Sequence, residues 1–138
     1  MKLDRLEDAE TMLQSALKLH REINNRIGQA SDLQILGMLY QRLEKIKDAE
    51  ESHRSALDIY TELNLSVKQG NELQSLGLLC INQQRFSEAE DFLSRAMDIH
   101  ERAHHPGGQQ YTQMLLDYVH KKQEQSDVVE EDVGKQVN

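Results

Sequence analysis

The chain repeats itself at an interval of 40 residues, and this repeat limits the folds that the sequence can adopt. The motif Asp8-Ala9-Glu10 returns as Asp48-Ala49-Glu50 and again as Glu88-Ala89-Glu90. The pair Leu36-Gly37 returns in the same way as Leu76-Gly77. Self-similarity at a fixed interval of this size is typical of stacked repeats, in which each unit buries its apolar face against its neighbours. The sequence therefore predicts an array of similar units.

Each interval contains two amphipathic segments with the spacing of helices. Apolar residues recur every three or four positions over 29–43 and 46–64, and again over 69–83 and 86–104. We name the first helix of each pair helix A and the second helix B. Because only two or three residues link A to B, the two helices must be antiparallel neighbours. Seven Gly and one Pro are too few for the turns of a β-sandwich or barrel, so the predicted fold class is all-α.

The order of residues within each pair resembles the tetratricopeptide repeat family. That family has a large residue, Leu-Gly and Tyr in helix A, and then Ala, a large residue and Ala in helix B. The resemblance implies a right-handed α-solenoid of antiparallel helix pairs. The period of 40 residues exceeds the family's usual 34, which predicts a helix B longer by more than a turn. This longer form is similar to the arrays of polarity adaptors and of NTPase-linked sensors. Thr61 and Glu101 replace the family's closing Pro. The matching residues are Leu33, Leu36, Gly37, Tyr40, Ala49, His53 and Ala56, and then Leu73, Leu76, Gly77, Cys80, Ala89, Leu93 and Ala96.

The two ends of the array are incomplete units. Residues 3–25 match helix B alone, and residues 109–125 are in register with helix A. In this last helix Asp117 replaces the Gly of the complete units, which predicts a capping helix. Residues 126–138 are acidic and lack helical periodicity, which predicts disorder. The predicted domain covers 1–125 and consists of a half repeat (3–25), two repeats (29–64 and 69–104) and the cap (109–125).

The chain is acidic, with a formal charge of −8 and a pI near 5.2. This charge argues against nucleic acid as the partner, since such binding rests on basic residues that neutralise phosphates. An anionic membrane surface is disfavoured for the same reason, and no apolar run is long enough to span a bilayer. The charged N-terminus does not resemble a secretory signal peptide, and the single Cys80 cannot form an internal disulfide. We therefore expect a cytoplasmic protein, and no motif implies a cofactor.

One motif offers catalytic chemistry, namely His100-Glu101-Arg102-Ala103-His104. On a helix, two histidines four residues apart can hold Zn²⁺ while the Glu serves as general base. However, the third histidine of the metzincin pattern would fall at Gln110, and no strands are predicted to build a protease cleft. His100 also occupies the repeat position of His20 and Tyr60, which favours a packing role. His100 and His104 are therefore weak metal candidates, and a zinc-dependent hydrolase is the remotest functional alternative.

The positions of helix A that point away from helix B form the candidate binding surface. In the stack that the resemblance implies, the A helices line a concave groove, and these positions combine amides with large apolar side chains. Amides can pair with a peptide backbone, and Met or Tyr gives an adaptable apolar contact. The family's carboxylate clamp for chaperone tails needs Lys, Arg and Asn along this groove, and the residues present do not supply them, so chaperone tails are excluded as the partner class. Polarity adaptors have Asn where this chain has Met38 and Leu78, which argues against their ligand as well. The candidate groove residues are Gln34, Met38, Gln41, Asn71, Gln74, Leu78, Ile81, Met114 and Tyr118, with Ser31 and Tyr111 beside them.

These residues predict a non-catalytic scaffold that binds a peptide or helix of a partner protein in the concave groove. The alternative is a structural or oligomerisation segment of a larger repeat array, in which the same residues pack against the cap or a neighbouring repeat. The half repeat at 3–25 bears on this alternative, because no predicted helix A covers one side of Leu6, Leu13 and Leu19. Monomeric proteins rarely expose large contiguous apolar patches, so the sequence predicts that this surface is covered either by an upstream repeat of a longer array or by a second copy in a homodimer through residues 3–25.

Overall fold

The structure is a computed structural model that describes the backbone of residues 2–137 and the side chains of 3–129 and 134. Six helices and no strand occur in this part of the chain. Helices α2, α4 and α6 are A helices, and α1, α3 and α5 are B helices. The most extensive packing joins α2 to α3 and α4 to α5, as expected for A–B pairs. The predicted class, an all-α solenoid, is confirmed. The helices are α1 (Lys2–Glu22), α2 (Arg26–Arg42), α3 (Ile46–Glu62), α4 (Ser66–Asn82), α5 (Phe86–Arg102) and α6 (Pro106–Val137).

Glycine sets the distance between the paired helices. A Cβ atom added to Gly77 would lie 2.7 Å from Cγ of Leu93, and one added to Gly37 would lie 2.6 Å from Nε2 of His53. These distances are too short for a real Cβ contact, so only glycine lets the large helix B side chain reach the backbone of helix A. Ala49, in the first turn of the facing helix α3, is completely buried. The Leu-Gly and Ala motifs of the sequence therefore mark the crossing of A and B.

All five connections between helices have the same backbone form. The middle residue of each has a positive φ between 51° and 61°. The residue after it donates its N–H to a carbonyl oxygen five positions back, as Lys45 does to Tyr40 at 2.8 Å. This left-handed cap ends one helix and lets the next begin within three residues. The residues with positive φ are Asn24, Glu44, Asn64, Gln84 and His104.

Gln84 is strained in this left-handed conformation, since a Cβ atom there costs roughly 1 kcal/mol. We expect Gln84→Gly to raise the free energy of unfolding by about 0.5–1 kcal/mol, because glycine adopts a positive φ without that strain. Urea denaturation measures the change. The control Gln84→Ala keeps the Cβ atom and should stay within about 0.5 kcal/mol of the parent. Equal stabilisation by both variants would show that backbone strain is not the cause.

The A helices begin three residues earlier than the sequence predicts. They start at Arg26, Ser66 and Pro106 rather than at 29, 69 and 109, and the two inner B helices end at Glu62 and Arg102 rather than at 64 and 104. The predicted bounds make helix B longer than helix A, whereas α2, α3, α4 and α5 each have 17 residues.

Glycines near the helix starts explain these errors. Gly usually marks a linker, but Gly28 and Gly108 lie inside helices against the rings of His20 and His100, where a Cβ atom would not fit. Pro106 occupies the first position of α6, where its missing N–H costs nothing.

Helix α6 continues well beyond the predicted cap. The sequence predicts a cap that ends near residue 125 and disorder over 126–138, whereas the helix runs to Val137. Residue 138 lies outside the described residues. No Pro follows Pro106, and the Lys, Gln and Glu residues after position 120 have favourable helix propensities. Ser126 and Asp127 line a cleft together with Gln84 and Phe86, so α6 still lies beside the array after the predicted end of the cap. No helix in the described part of the chain is long and apolar enough to cross a bilayer.

Candidate protein-binding groove

The A helices share a face opposite the residues that pack on their B helices, and we call it the A-helix face. Because the period is 40 residues, α2, α4 and α6 contribute equivalent side chains to the same five rows. The rows are Ser31, Asn71 and Tyr111; Gln34, Gln74 and Met114; Met38, Leu78 and Tyr118; Gln41, Ile81 and Lys121; and Arg42, Asn82 and Lys122.

Exposure divides the predicted groove residues into two groups. Met38, Met114 and Tyr118 are exposed. Gln74 and Ile81 are buried, although the sequence analysis assigns both to the binding surface. The exposed group is therefore the part of the surface that is free to meet a partner. The remaining predicted residues are half-buried, namely Gln34, Gln41, Asn71 and Leu78.

Gln74 joins two A helices instead of facing solvent. Its Nε2 donates to Oγ1 of Thr112 at 2.7 Å and to the carbonyl oxygen of Gly108 at 3.1 Å. Its counterpart Gln34 accepts a hydrogen bond from the Tyr60 hydroxyl at 3.1 Å. These two amides stabilise the array, which is the packing alternative that the sequence analysis leaves open. Only a structure separates them from the exposed residues, since all lie on the same helical stripe.

The row formed by Arg42, Asn82 and Lys122 is not among the binding residues predicted from the sequence. These residues lie four positions after Met38, Leu78 and Tyr118, and that spacing keeps them on the same helix face. Nζ of Lys122 lies 5.6 Å from the centroid of the Tyr118 ring, within the range of a cation–π contact. A cleft of about 420 Å³ opens beside them, and its lining includes Ile81, Asn82, Phe86, Tyr118 and Lys122.

Charge is distributed unevenly between the two kinds of helix. Helices α3 and α5 each carry five acidic and two basic residues, whereas α2 and α4 each carry one acidic residue. These two acids, Asp32 and Glu72, are buried. None of the five rows of the A-helix face contains Asp or Glu, and three of its residues are basic, namely Arg42, Lys121 and Lys122. The A-helix face is therefore neutral to cationic in a protein of formal charge −8.

A histidine contacts each of the two buried acids. Nδ1 of His20 lies 2.5 Å from Oδ2 of Asp32, and Nδ1 of His53 lies 2.7 Å from Oε2 of Glu72. The second pair is almost completely buried on both sides. An unpaired buried carboxylate would cost several kcal/mol. The histidines therefore hold the acids of the A helices on the side away from the A-helix face.

The motif 100–104 does not have the geometry of a zinc site. Helix α5 ends at Arg102, and His104 has a φ of 51° in the following connection, so the two imidazoles do not lie on one continuous helix. His100 is completely buried with its ring against Gly70 and Gly108, and neither ring nitrogen has a hydrogen-bond partner. Among the described residues no group of three or more His, Cys, Asp and Glu is placed to hold a metal ion. His100 is a packing residue.

Burial lowers the pKa of His100, and the neighbouring His105 lowers it further. The unfolded chain therefore binds a proton more readily than the folded chain, and stability falls as the pH drops through the ordinary histidine value of about 6.5. We expect His100→Gln to reduce the loss of unfolding free energy between about pH 7 and pH 5. Urea titrations at several pH values measure this, with exposed His104→Gln as the control. Parallel profiles for the parent and His100→Gln would contradict the prediction.

The family model described as Tetratricopeptide repeat matches residues 1–62. Residues 1–62 therefore contain tetratricopeptide repeats, and the fold of the chain is a tetratricopeptide-like solenoid. The match covers α1, α2 and α3, and the 40-residue period repeats the same helix pair in the rest of the array. No curated protein matches the chain in sequence comparison.

Solved structures share the fold at low sequence identity. BtubC (BKLC) from P. vanneervenii has a TM-score of 0.77 and 23% identity, with 86% of this chain covering 50% of that one. The apo form of RapI has a TM-score of 0.80 and 20% identity, and the match covers 92% of this chain and 46% of RapI. Aspartyl phosphate phosphatase F from Bacillus subtilis has a TM-score of 0.72 and 16% identity, and the match covers 98% of this chain and 40% of that protein. This chain thus spans half or less of the length of each of these proteins.

Proposed function

We propose that this protein is a non-catalytic scaffold that binds a segment of a partner protein on its A-helix face. The tetratricopeptide fold is consistent with a protein-interaction role. The observation that carries the proposal is the combination of exposed Met38, Met114 and Tyr118 with a face that contains no acidic residue. Large exposed apolar side chains that share one face are typical of an interaction surface. Met and Tyr are also suited to adaptable apolar contacts.

The charge of the A-helix face selects the chemistry of the partner. Arg42 and Lys122 stand in one row, and Lys121 lies beside them. A peptide with both apolar and acidic side chains would place its apolar side chains on the row of Met38, Leu78 and Tyr118. Its acidic side chains would lie near the cations. The acidic B helices would repel the same peptide, so charge directs it to one side of the protein. We therefore propose an apolar and acidic segment as the partner.

Selection of short random peptides from a phage-displayed library tests this proposal. Peptides enriched on the parent protein should carry acidic and apolar residues, and their affinity should fall with added salt. Arg42→Glu combined with Lys122→Glu should weaken these peptides by roughly tenfold or more. The matched control Glu51→Lys combined with Asp91→Lys changes the charge of the B helices and should leave the affinity unchanged. Loss of binding in the control but not in the Arg42 and Lys122 variant would overturn the proposal.

The non-catalytic part of the proposal has its own support and its own test. The exposed side chains of the A-helix face are mainly apolar, amide or cationic, and these groups suit binding better than nucleophilic chemistry. One of the proteins that share the fold is named an aspartyl phosphate phosphatase. Incubation with acetyl phosphate is therefore the informative assay, and we expect no hydrolysis above the buffer rate. Hydrolysis that persists through repurification would refute a purely binding role.

A further inference from the structure

The outer side of α1 is apolar and uncovered. Met12, Leu19 and Ile23 are 73%, 60% and 70% exposed. Ile27 and Ile35, on the adjoining helix α2, are also exposed. We call these five residues the α1 face. They account for a large part of the exposed apolar side chains of the protein, and they lie at one end of the array.

The complete units show what normally lies against this position. Ser52 and Ile59 stand 40 residues after Met12 and Leu19, and they are only 7% and 6% exposed. Ile59 belongs to the apolar cluster that includes Leu33 and Leu36 of α2, so its cover is the helix A of its own pair. The α1 face therefore has the character of a surface that receives another apolar element.

The opposite end of the array does not offer a matching surface. On the side of α6 where a helix B would lie, Gln113 and Asp117 are exposed, and Nε2 of Gln113 donates to Oδ1 of Asp117 at 2.9 Å. Asp117 stands at the repeat position of Gly77, where the partner helix approaches most closely. A head-to-tail stack of copies would bury this carboxylate, which the amide of Gln113 alone does not neutralise, and burial of a charge without an opposite charge is strongly unfavourable. This opposes a stack in which the α1 face of one copy packs on α6 of the next.

The distribution of charge favours contact through the α1 end. Residues 1–45 contain seven basic and seven acidic residues, so their net charge is zero. Residues 46–105 contain six basic and eleven acidic residues, which gives a net charge of −5. Two copies that meet through residues 1–45 bring no net repulsion, whereas contact through α3 and α5 would bring two acidic surfaces together.

We propose that the α1 face is the interface of a homodimer, in which it packs against the α1 face of a second copy. A two-fold axis suits this contact, because it pairs one apolar patch with an identical patch. Five large side chains on each copy bury on the order of 1,000 Å² in total, which is at the lower limit of specific interfaces. The dimer should accordingly dissociate at roughly micromolar to tens of micromolar concentration.

Analytical ultracentrifugation of the 138-residue chain tests the dimer. The mass should rise from 15.9 kDa at low concentration to twice that value at high concentration. Met12→Glu should raise the dissociation constant by roughly tenfold or more, because it places a carboxylate in the apolar contact. The matched control Met114→Glu, an equally exposed methionine on the A-helix face, should leave it unchanged.

Circular dichroism should show the same helical content in all three proteins, since both methionines are exposed. A monomer at every concentration, a mass that continues to rise beyond the dimer, or dissociation by Met114→Glu alone would each overturn the proposal. Binding of the selected peptides should survive Met12→Glu, so the two proposals stand or fall separately.

Discussion

Leu36→Asp is expected to leave the protein unfolded at room temperature. Leu36 is buried in the contact of α2 with α3, in a cluster that includes Leu33, Ala56 and Tyr60. The change removes leucine packing worth about 2–5 kcal/mol and adds a buried carboxylate that has no partner. Together these effects approach the whole stability of an ordinary domain, about 5–15 kcal/mol. Loss of the helical circular dichroism signal would report the unfolding.

Met38→Asp is the matched control for this prediction. Met38 lies two residues further along the same helix but is exposed, so the same carboxylate there stays in water. We expect its unfolding free energy to remain within about 1 kcal/mol of the parent. A folded Leu36→Asp variant, or equal damage from both changes, would mean that the buried side of α2 is assigned incorrectly.

The repeat and its spacing were sufficient to predict the helix pairs. Gly37 and Gly77 stand at the helix crossings because the backbone of helix A must come within contact of His53 and Leu93. A steric requirement of this kind leaves a residue signature that recurs in every unit. Fold class, pairing and the position of the core are therefore readable without a structure.

Helix ends were harder to predict, because the same residue types have opposite meanings in different surroundings. Gly28 and Gly108 resemble linker residues in the sequence, but inside α2 and α6 they make room for imidazole rings. Glu44 and Gln84 adopt a positive φ without being Gly or Asn. The period of the array dictates these conformations, and local sequence preference does not reveal them.

The candidate site was predicted only in part, since helical phase identifies a face and not its neighbours. Met38 and Gln74 both fall on the stripe that points away from helix B, yet Met38 is exposed and Gln74 bonds to Thr112 of the next A helix. The distance between successive A helices decides which rows they bury, and no local pattern encodes it. Arg42 and Lys122, in contrast, were within reach of the sequence through their spacing from the Met and Tyr row.

The buried pair of His53 and Glu72 has an apolar counterpart in the next unit. At the same repeat positions that unit has Leu93 and Thr112, both completely buried. Oγ1 of Thr112 accepts a hydrogen bond from Gln74, and Gln34 stands at the corresponding position one unit earlier. The fold therefore accommodates either an ionisable pair or Leu with Thr at one structural position. Leu93 and Thr112 therefore indicate which residues can replace His53 and Glu72 in an experiment on the pair.

Breaking the His53 and Glu72 pair from one side should be strongly destabilising. His53→Leu alone leaves the carboxylate of Glu72 buried without its partner, and we expect a loss of about 3–5 kcal/mol of unfolding free energy. Glu72→Thr alone leaves Nδ1 of a buried imidazole unsatisfied, and we expect a loss of about 1–3 kcal/mol. Urea denaturation of both variants measures these losses.

The double variant His53→Leu with Glu72→Thr should recover most of the lost stability. It reproduces the pairing of Leu93 with Thr112, and Gln34 can donate to the new hydroxyl as Gln74 does to Thr112. We expect an unfolding free energy within about 1.5 kcal/mol of the parent, and hence a coupling of several kcal/mol between the two positions. Additive losses in the double variant would show that each side chain acts through its own packing. Recovery would show that the fold accepts Leu with Thr at this position as readily as the ionisable pair.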